Sequence, residues 1–99
     1  MSQVTLTATP SFRLAGRRAL VTGGGRGIGL AAASALAEAG AHVTLAERPA
    51  PEIEDAAAAI RARGQTAEAL VLDVTDIEAV RRAVASHEPF QVLVNNAGT

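Results

Sequence analysis

Hydrophobic and polar positions fall into two kinds of segment that alternate along the chain. Short apolar runs near residues 18–22, 42–46, 68–72 and 90–95 have the length and continuity of strands buried on both faces of a sheet. In the longer segments between them, apolar residues recur every three or four positions, which is the spacing of helices that pack on one side. The alternation predicts an α/β fold, in which crossover helices join the strands of a parallel sheet.

The helix ends and the buried helix faces can be predicted as well. The first helix is expected over residues 27–39, followed by Gly40 in a left-handed conformation. The second helix is expected to begin near Pro51 and to end at Gly64, after Arg61 and Arg63, which suit the negative end of its dipole. The third is expected to open with a capping box at residues 75–78. The residues expected on the buried faces are Ile28, Ala31, Ala32, Ala35 and Leu36 in the first helix, Ile53, Ala57 and Ile60 in the second, and Ile77, Val80 and Val84 in the third.

A glycine-rich run, TGGGRGIG at residues 22–29, connects the first predicted strand to the first predicted helix. Glycines permit a tight turn there, and the free N–H groups of the first helical turn, together with the helix dipole, attract an anion. The run lacks the Lys-Ser/Thr ending of a P-loop, and its Gly-x-x-x-Gly-x-Gly spacing differs from the common Gly-x-Gly-x-x-Gly fingerprint. By itself such a loop can also be a structural turn; its place between strand and helix favours a diphosphate site.

The expected strand order is 3-2-1-4, which makes strands one and four neighbours where the winding of the sheet reverses. In sheets of this kind, ligands bind outside the carboxyl ends of the strands at that point. The glycine-rich run, Glu47, Asp73 and residues 95–98 all follow predicted carboxyl ends. Their convergence at one edge predicts a dinucleotide site.

Composition narrows the possible functions further. The 99 residues suffice for one small domain, which we expect over residues 12–99, preceded by a loose arm at residues 1–11. The net charge is −1, so we expect neither nucleic acid nor a membrane surface as a partner. There is no cysteine, and His42 and His87 show no ligand pattern, so no metal site is expected. The N-terminal residues do not resemble a signal peptide, and we expect a cytoplasmic protein.

Further stretches resemble the short-chain dehydrogenase/reductase family in its compact form. They are FRLAGRRALVTG at residues 12–23, the pair Asp73-Val74 after the third strand, and NNAG at residues 95–98 after the fourth. Together with the glycine-rich run they extend over residues 12–99, the front part of that family's doubly wound Rossmann sheet. The resemblance implies a nicotinamide cofactor and an oxidoreductase that moves hydride between the nicotinamide and a small alcohol or carbonyl substrate. It also implies a longer, homo-oligomeric parent protein.

The resemblance also implies which residues contact the cofactor. Glu47 would accept hydrogen bonds from the adenine ribose hydroxyls, which favours NAD, whereas Arg26 or Arg48 could instead hold the 2′-phosphate of NADP. Asp73 would meet the adenine edge, although it also suits a helix entry, and Asn95 would tie the ends of neighbouring strands. The complete expected set is Thr22, Gly23, Gly25, Arg26, Gly27, Ile28, Gly29, Glu47, Arg48, Asp73, Val74, Asn95, Ala97 and Gly98.

Catalytic residues, by contrast, are not found in this sequence. The family's chemistry relies on a tyrosine acid/base whose proton affinity is lowered by a lysine, and this chain has neither residue type. Ser34 and Ser86 do not match the family's catalytic serine. We therefore expect the N-terminal, cofactor-binding part of such an enzyme, inactive alone. A non-catalytic nucleotide-binding or oligomer-modulating remnant is the alternative. A methyltransferase-like nucleoside binder is a third, but it would not be expected to carry the motif at residues 95–98.

Overall fold

Strands and helices alternate along the whole of the computed structural model, which describes residues 13–23, 27–47, 50–73 and 75–95. The strands form one parallel sheet in the order β3-β2-β1-β4, so the predicted α/β class and strand order are confirmed. The elements are β1 (Arg18–Thr22), α1 (Gly27–Glu38), β2 (His42–Glu47), α2 (Ala50–Ala62), β3 (Ala67–Val71), α3 (Ile77–Ala85) and β4 (Val92–Asn95).

The predicted boundaries deviate from the observed ones by at most two residues. β3 begins and ends one residue earlier than predicted, and β2 extends one residue further, to Glu47. β4 begins at Val92 rather than at Phe90. The difference at β4 arises because Phe90 packs with Leu20 and Leu72 on one sheet face, and pairing with β1 starts at Val92.

Apolar side chains pack on both faces of the sheet, as expected for buried parallel strands. On one face, α1 and α2 cover alternate residues of the strands, including Val21, Val43 and Leu45, which are fully buried. Ile53, Ala57 and Ile60 of α2 pack there as predicted. On the other face, a smaller cluster around Leu20, Ala46 and Leu72 is covered by α3. The two clusters give the molecule three layers with the sheet in the middle.

The buried face predicted for α1 is correct for Leu36, which is partly buried and packs against the core, and wrong for three of the other four residues. The residues that face the sheet are Gly29, Ala33 and Ala37, whereas Ile28 is 77% exposed and Ala31 and Ala35 are also exposed. Almost every residue of this helix is small or apolar, so its polarity pattern does not distinguish one side from the other. The side of the helix that carries Gly29, Ala33 and Ala37 has the smallest side chains and allows the closest approach to the sheet. This side packs against the sheet.

The prediction for α3 is correct for Val80 and wrong for the ends of the stripe. Ile77 is 71% exposed and Val84 is 43% exposed, because the helix rests on the sheet through Val80 together with Ala79 and Ala83. This shorter row matches the small area that Leu20, Leu70 and Leu72 present.

The predicted capping box at residues 75–78 is not formed. Asp76, rather than Thr75, is the N-cap, and its side chain accepts a hydrogen bond from the Ala79 N–H at 3.1 Å. Aspartate is among the strongest N-cap residues. The Thr75 hydroxyl instead donates a hydrogen bond to the Asp73 carboxylate.

Gly40 ends α1 with a left-handed backbone, as predicted. Its φ is +105°, and a Cβ at this position would lie 3.2 Å from the backbone nitrogen of Ala15. Gly64 ends α2 in the same region of φ, at +82°, but with open space around it. Gly40 is therefore required both by the left-handed turn and by the close approach of the segment before β1.

Candidate functional site

The register of the sheet aligns the carboxyl ends of its strands at one edge. Thr22 at the end of β1 pairs with Ala46 of β2 on one side and with Asn95 of β4 on the other. One position further, Glu47 pairs with Val71, the last residue of β3. Because neighbouring strands are about 4.8 Å apart, Glu47 and Asn95 lie roughly 10 Å from each other across the edge. Thr22, Glu47 and Asn95, three of the residues predicted to form the site, therefore lie at one edge of the sheet.

The glycine-rich segment leaves this edge and enters α1. The Gly23 N–H donates to the carbonyl of Ala46 at 3.0 Å, so the turn is fixed to the end of β2. Gly27 begins α1 with a φ of +60°, and a Cβ added there would meet nothing within 4 Å. The first turn of α1 carries no acidic residue. Its N–H groups and the positive end of its dipole therefore suit an anion, with no carboxylate in that turn to repel it.

Thr22 joins β1 to β4 through its side chain. Its hydroxyl donates to Oδ1 of Asn95 at 3.1 Å and also lies 3.3 Å from the carbonyl oxygen of Val94. Thr22 itself is 7% exposed. The prediction that the Asn95 side chain ties neighbouring strand ends together is met here, at the point where the winding of the sheet reverses.

Glu47 is half-buried at the end of β2, on the sheet face that α1 and α2 cover. Its carbonyl accepts a hydrogen bond from the Leu72 N–H at 3.2 Å, so its backbone is fixed to the segment that leads to Asp73. Beside it, Val71 exposes 53% of its surface. A carboxylate next to an open apolar side chain is an arrangement that suits a ribose with its attached base.

Asp73 is held in a local turn. Its Oδ1 accepts hydrogen bonds from the backbone N–H of Thr75 at 3.0 Å and from the Thr75 hydroxyl at 2.6 Å. Its carbonyl accepts from the Asp76 N–H at 3.0 Å, which leads into the N-cap of α3. The helix-entry role is therefore realised. Thr75 was not predicted as the partner of Asp73, although an aspartate two residues before a threonine is the sequence signal of such a turn.

The remaining predicted positions have different outcomes. Gly29 is buried against the sheet, while Ile28 extends outward from the first turn of α1. Six of the predicted residues lie outside the described ranges, and they are Gly25, Arg26, Arg48, Val74, Ala97 and Gly98.

The groups at the carboxyl edge of the sheet are of the kinds that bind a dinucleotide. Within the described ranges, no group of three or more His, Asp or Glu side chains could hold a metal. The chemistry offered at the edge is instead a helix N-terminus for a diphosphate, a carboxylate for hydroxyl groups and an exposed isoleucine for a flat ring. Over the same part of the chain, none of the helices is both long and apolar enough to cross a membrane.

Comparison with known proteins agrees with this geometry. A family model for short chain dehydrogenases matches residues 17–99. The chain is 47% identical over 91 residues to gluconate 5-dehydrogenase of Gluconobacter oxydans. It is 50% identical over 91 residues to galactitol 2-dehydrogenase of Rhizobium johnstonii. These matches cover 88% of this chain but 36% and 35% of the two relatives, so the chain spans about a third of their length.

A solved structure is similar over the same region. It is the RhlG protein of Pseudomonas aeruginosa in an active-site complex with NADP, with a TM-score of 0.81 and 42% sequence identity. The match covers 91% of this chain and 38% of that chain. Both kinds of comparison therefore align this chain with about a third of longer proteins.

Proposed function

The chain belongs to the short-chain dehydrogenase family, and from that premise we propose that it binds a nicotinamide dinucleotide at the carboxyl edge of its sheet. The observation that carries the proposal is the register that brings Thr22, Glu47 and Asn95 to one edge, beside the N-terminus of α1. This is the place where doubly wound sheets bind dinucleotides.

Four parts of the edge contact different groups of the cofactor. The first turn of α1 holds the diphosphate through N–H groups, and the lack of a side chain at Gly27 keeps the approach open. Glu47 accepts hydrogen bonds from the adenine ribose, and Asp73, fixed by Thr75, meets the adenine edge. Ile28 offers exposed apolar surface to the nicotinamide half. When bound, the cofactor supplies hydride transfer; the residues of this chain bind and orient it.

We propose NAD as the preferred cofactor rather than NADP. Hydrogen bonds from two ribose hydroxyls to the Glu47 carboxylate are charge-assisted and contribute roughly 1.5–3 kcal/mol each. A 2′-phosphate at the same place would lie about 4 Å from that carboxylate, a repulsion of order 4 kcal/mol per charge pair before screening. Arg26 and Arg48 are the residues whose charge would oppose this preference.

The cofactor preference is tested by calorimetric titration of a polypeptide that carries this chain with the rest of the family fold. We expect NAD to bind more tightly than NADP, and Glu47→Gln to weaken NAD binding by about tenfold or more while NADP binding improves. Glu54→Gln, an exposed acid on α2, is the matched control and should change neither affinity. Tighter binding of NADP than of NAD by the unsubstituted protein would contradict the preference.

For the whole protein we propose hydride transfer between the nicotinamide and a small alcohol or carbonyl compound. Two relatives are named for gluconate and galactitol, so polyhydroxylated molecules are the class to try first. We further propose that this protein is a cytoplasmic homo-oligomer that binds neither nucleic acid nor membranes. In support, the chain has no cysteine and a net charge of −1. A substrate panel followed by nicotinamide absorbance, together with light scattering for the oligomer, tests these points.

A further inference from the structure

A groove runs between α1 and α2, the two helices that cover one face of the sheet. It has a volume of about 410 Å³ and is lined mainly by apolar side chains. Ala56 and Ile60 in its floor are buried, whereas Ala31 and Ala59 on its sides are exposed. Because three of these four residues are alanines, the side chains of the two helices do not fill the space between them. The groove is therefore apolar and open to a further segment.

The two ends of the groove differ. Arg63, directly after α2, donates through Nη1 to Oγ of Ser34 at 2.8 Å and through Nη2 to Oε2 of Glu38 at 3.0 Å. This bridge from α2 to α1 forms one end. At the other end the groove reaches Gly27, the first residue of α1, where an added Cβ would meet nothing within 4 Å. The groove therefore follows α1 from its first residue to the Arg63 bridge.

The described chain begins beside the bridged end of the groove, at Arg13. The Leu14 N–H donates to the carbonyl of Ala39 at 2.7 Å, and the Leu14 side chain packs against the core cluster under α1 and α2. Ala39 is adjacent to Glu38, which belongs to the bridge. The residues before Arg13 therefore continue from a point next to the groove.

The sequence of the arm at residues 1–11 suits an apolar groove. It contains no charged side chain, and Val4, Leu6 and Ala8 alternate with threonines. In an extended chain, alternate side chains lie on the same side, so these three residues form an apolar side. Threonine is β-branched and favours extended backbone, and Pro10 restricts the residue before it to extended backbone as well. The pattern predicts an extended segment with one apolar side.

The arm is long enough to lie along the whole groove. Its eleven residues span roughly 36 Å when extended. From Ala39 back to Gly27, the chain of α1 covers roughly 18 Å at about 1.5 Å per residue. A segment that starts beside Ala39 can therefore pass the Arg63 bridge and reach the start of α1. Because the arm is tethered there, its effective concentration at the groove is of order millimolar, which favours it over a free partner.

We propose that the arm lies extended in the groove between α1 and α2, with Val4, Leu6 and Ala8 against the apolar lining. The arm then buries exposed apolar surface of both helices, including Ala31 and Ala59, and joins them along the groove. The start of α1, to which we assign the diphosphate, lies at the far end of this contact. A second copy of the chain or a separate hydrophobic molecule is the competing occupant, and either would leave the arm outside the groove.

The first test traps the arm with disulfides, which is possible because the chain has no cysteine. Val4→Cys, Leu6→Cys and Ala8→Cys are each combined with Ala59→Cys in the groove or with Ala58→Cys, an exposed position outside the groove. The tether is nearly equal in the two cases, but adjacent residues of a helix point about 100° apart.

Under mild oxidation, we expect at least one pair with Ala59→Cys to close about tenfold faster than the matching pair with Ala58→Cys. Equal rates in all three comparisons would overturn the proposal. Disulfides to Ala59→Cys that mass spectrometry finds mainly between ¹⁵N-labelled and unlabelled chains would also overturn it, because a second copy would then occupy the groove.

The second test measures how fast chymotrypsin cleaves the full chain after Leu6. We expect this cleavage to be about tenfold slower than in the free peptide of residues 1–12, because the docked arm must leave the groove first. Ala59→Glu places a charge in the groove and should speed the cleavage about fivefold, whereas Ala58→Glu adds the same charge outside it and should leave the rate unchanged.

Two results of this test would overturn the proposal. The first is cleavage of the unsubstituted chain as fast as that of the peptide, which decides the matter even where Ala59→Glu does not fold. The second is an equal rate in the unsubstituted chain and in an Ala59→Glu variant whose circular dichroism shows that it is folded.

Discussion

At the scale of single residues, the candidate site is ordered by short polar contacts between strand ends. The Thr22 hydroxyl holds Asn95, and Thr75 holds Asp73. That the Asn95 side chain ties strand ends was predicted from the resemblance, but Thr22 was not predicted as its partner. The Thr75 contact was not predicted, since a threonine near a helix entry has two competing uses, as N-cap and as turn partner. Asp76 takes the N-cap and leaves Thr75 to the turn.

The Thr22 contact can be tested by removing the hydroxyl at nearly constant volume. We expect Thr22→Val to lower the free energy of unfolding by about 1 kcal/mol, because the partly buried acceptor oxygens of Val94 and Asn95 lose their donor. Urea unfolding is the measurement. Thr66→Val, at an exposed position, is the control and should stay within about 0.5 kcal/mol. Equal stability in Thr22→Val and the unsubstituted protein would mean that the hydroxyl does not tie the strands.

At the scale of elements, glycines and caps set where helices end, and side-chain size decides how they pack. Helix and strand positions were predicted to within two residues, because Gly40, Gly64 and the prolines punctuate the sequence clearly. The packing face of α1 was not predictable from polarity, since Gly29, Ala33 and Ala37 differ little in hydropathy from their neighbours. Only the distance between helix and sheet distinguishes them, and that distance is a property of the assembled fold.

The two helix-terminal glycines provide a matched pair of substitutions. Both have left-handed φ values, +105° at Gly40 and +82° at Gly64, so an alanine at either costs roughly 1–2 kcal/mol. At Gly40 the new Cβ would also lie 3.2 Å from the Ala15 nitrogen, whereas at Gly64 it meets open space. We expect Gly40→Ala to destabilise the protein by about 1 kcal/mol more than Gly64→Ala, as measured by denaturant unfolding. A larger loss at Gly64 would contradict the close approach of Ala15.

At the scale of the whole molecule, the order β3-β2-β1-β4 was predictable from the alternation of elements and from the rules for parallel connections. Those rules do not reveal how much apolar surface each sheet edge exposes. Within the described sheet, β4 is an edge strand, and Leu93 on it is 66% exposed. β3 is the other edge, and it carries Glu68 among its apolar residues. Exposed apolar edges pair readily with other chains, and charges oppose such pairing.

We therefore expect the 99-residue chain on its own to associate through β4 at micromolar concentration. Leu93→Glu places a charge on that edge and should lower the average mass measured by light scattering. Val71→Glu makes the same change on the opposite edge strand, where 53% of the valine is exposed, and should leave association unchanged. A monomeric unsubstituted chain that melts sharply in calorimetry would contradict this expectation.

The central claim is that a nicotinamide dinucleotide binds at the carboxyl edge of the sheet. Its most direct test is the crystal structure, with NAD bound, of a polypeptide that carries this chain together with the remainder of the family fold. The account predicts diphosphate oxygens within hydrogen-bond distance of backbone N–H groups at the start of α1, and ribose hydroxyls on the Glu47 carboxylate. A dinucleotide bound elsewhere, with the N-terminus of α1 and Glu47 untouched at saturating NAD, would contradict it.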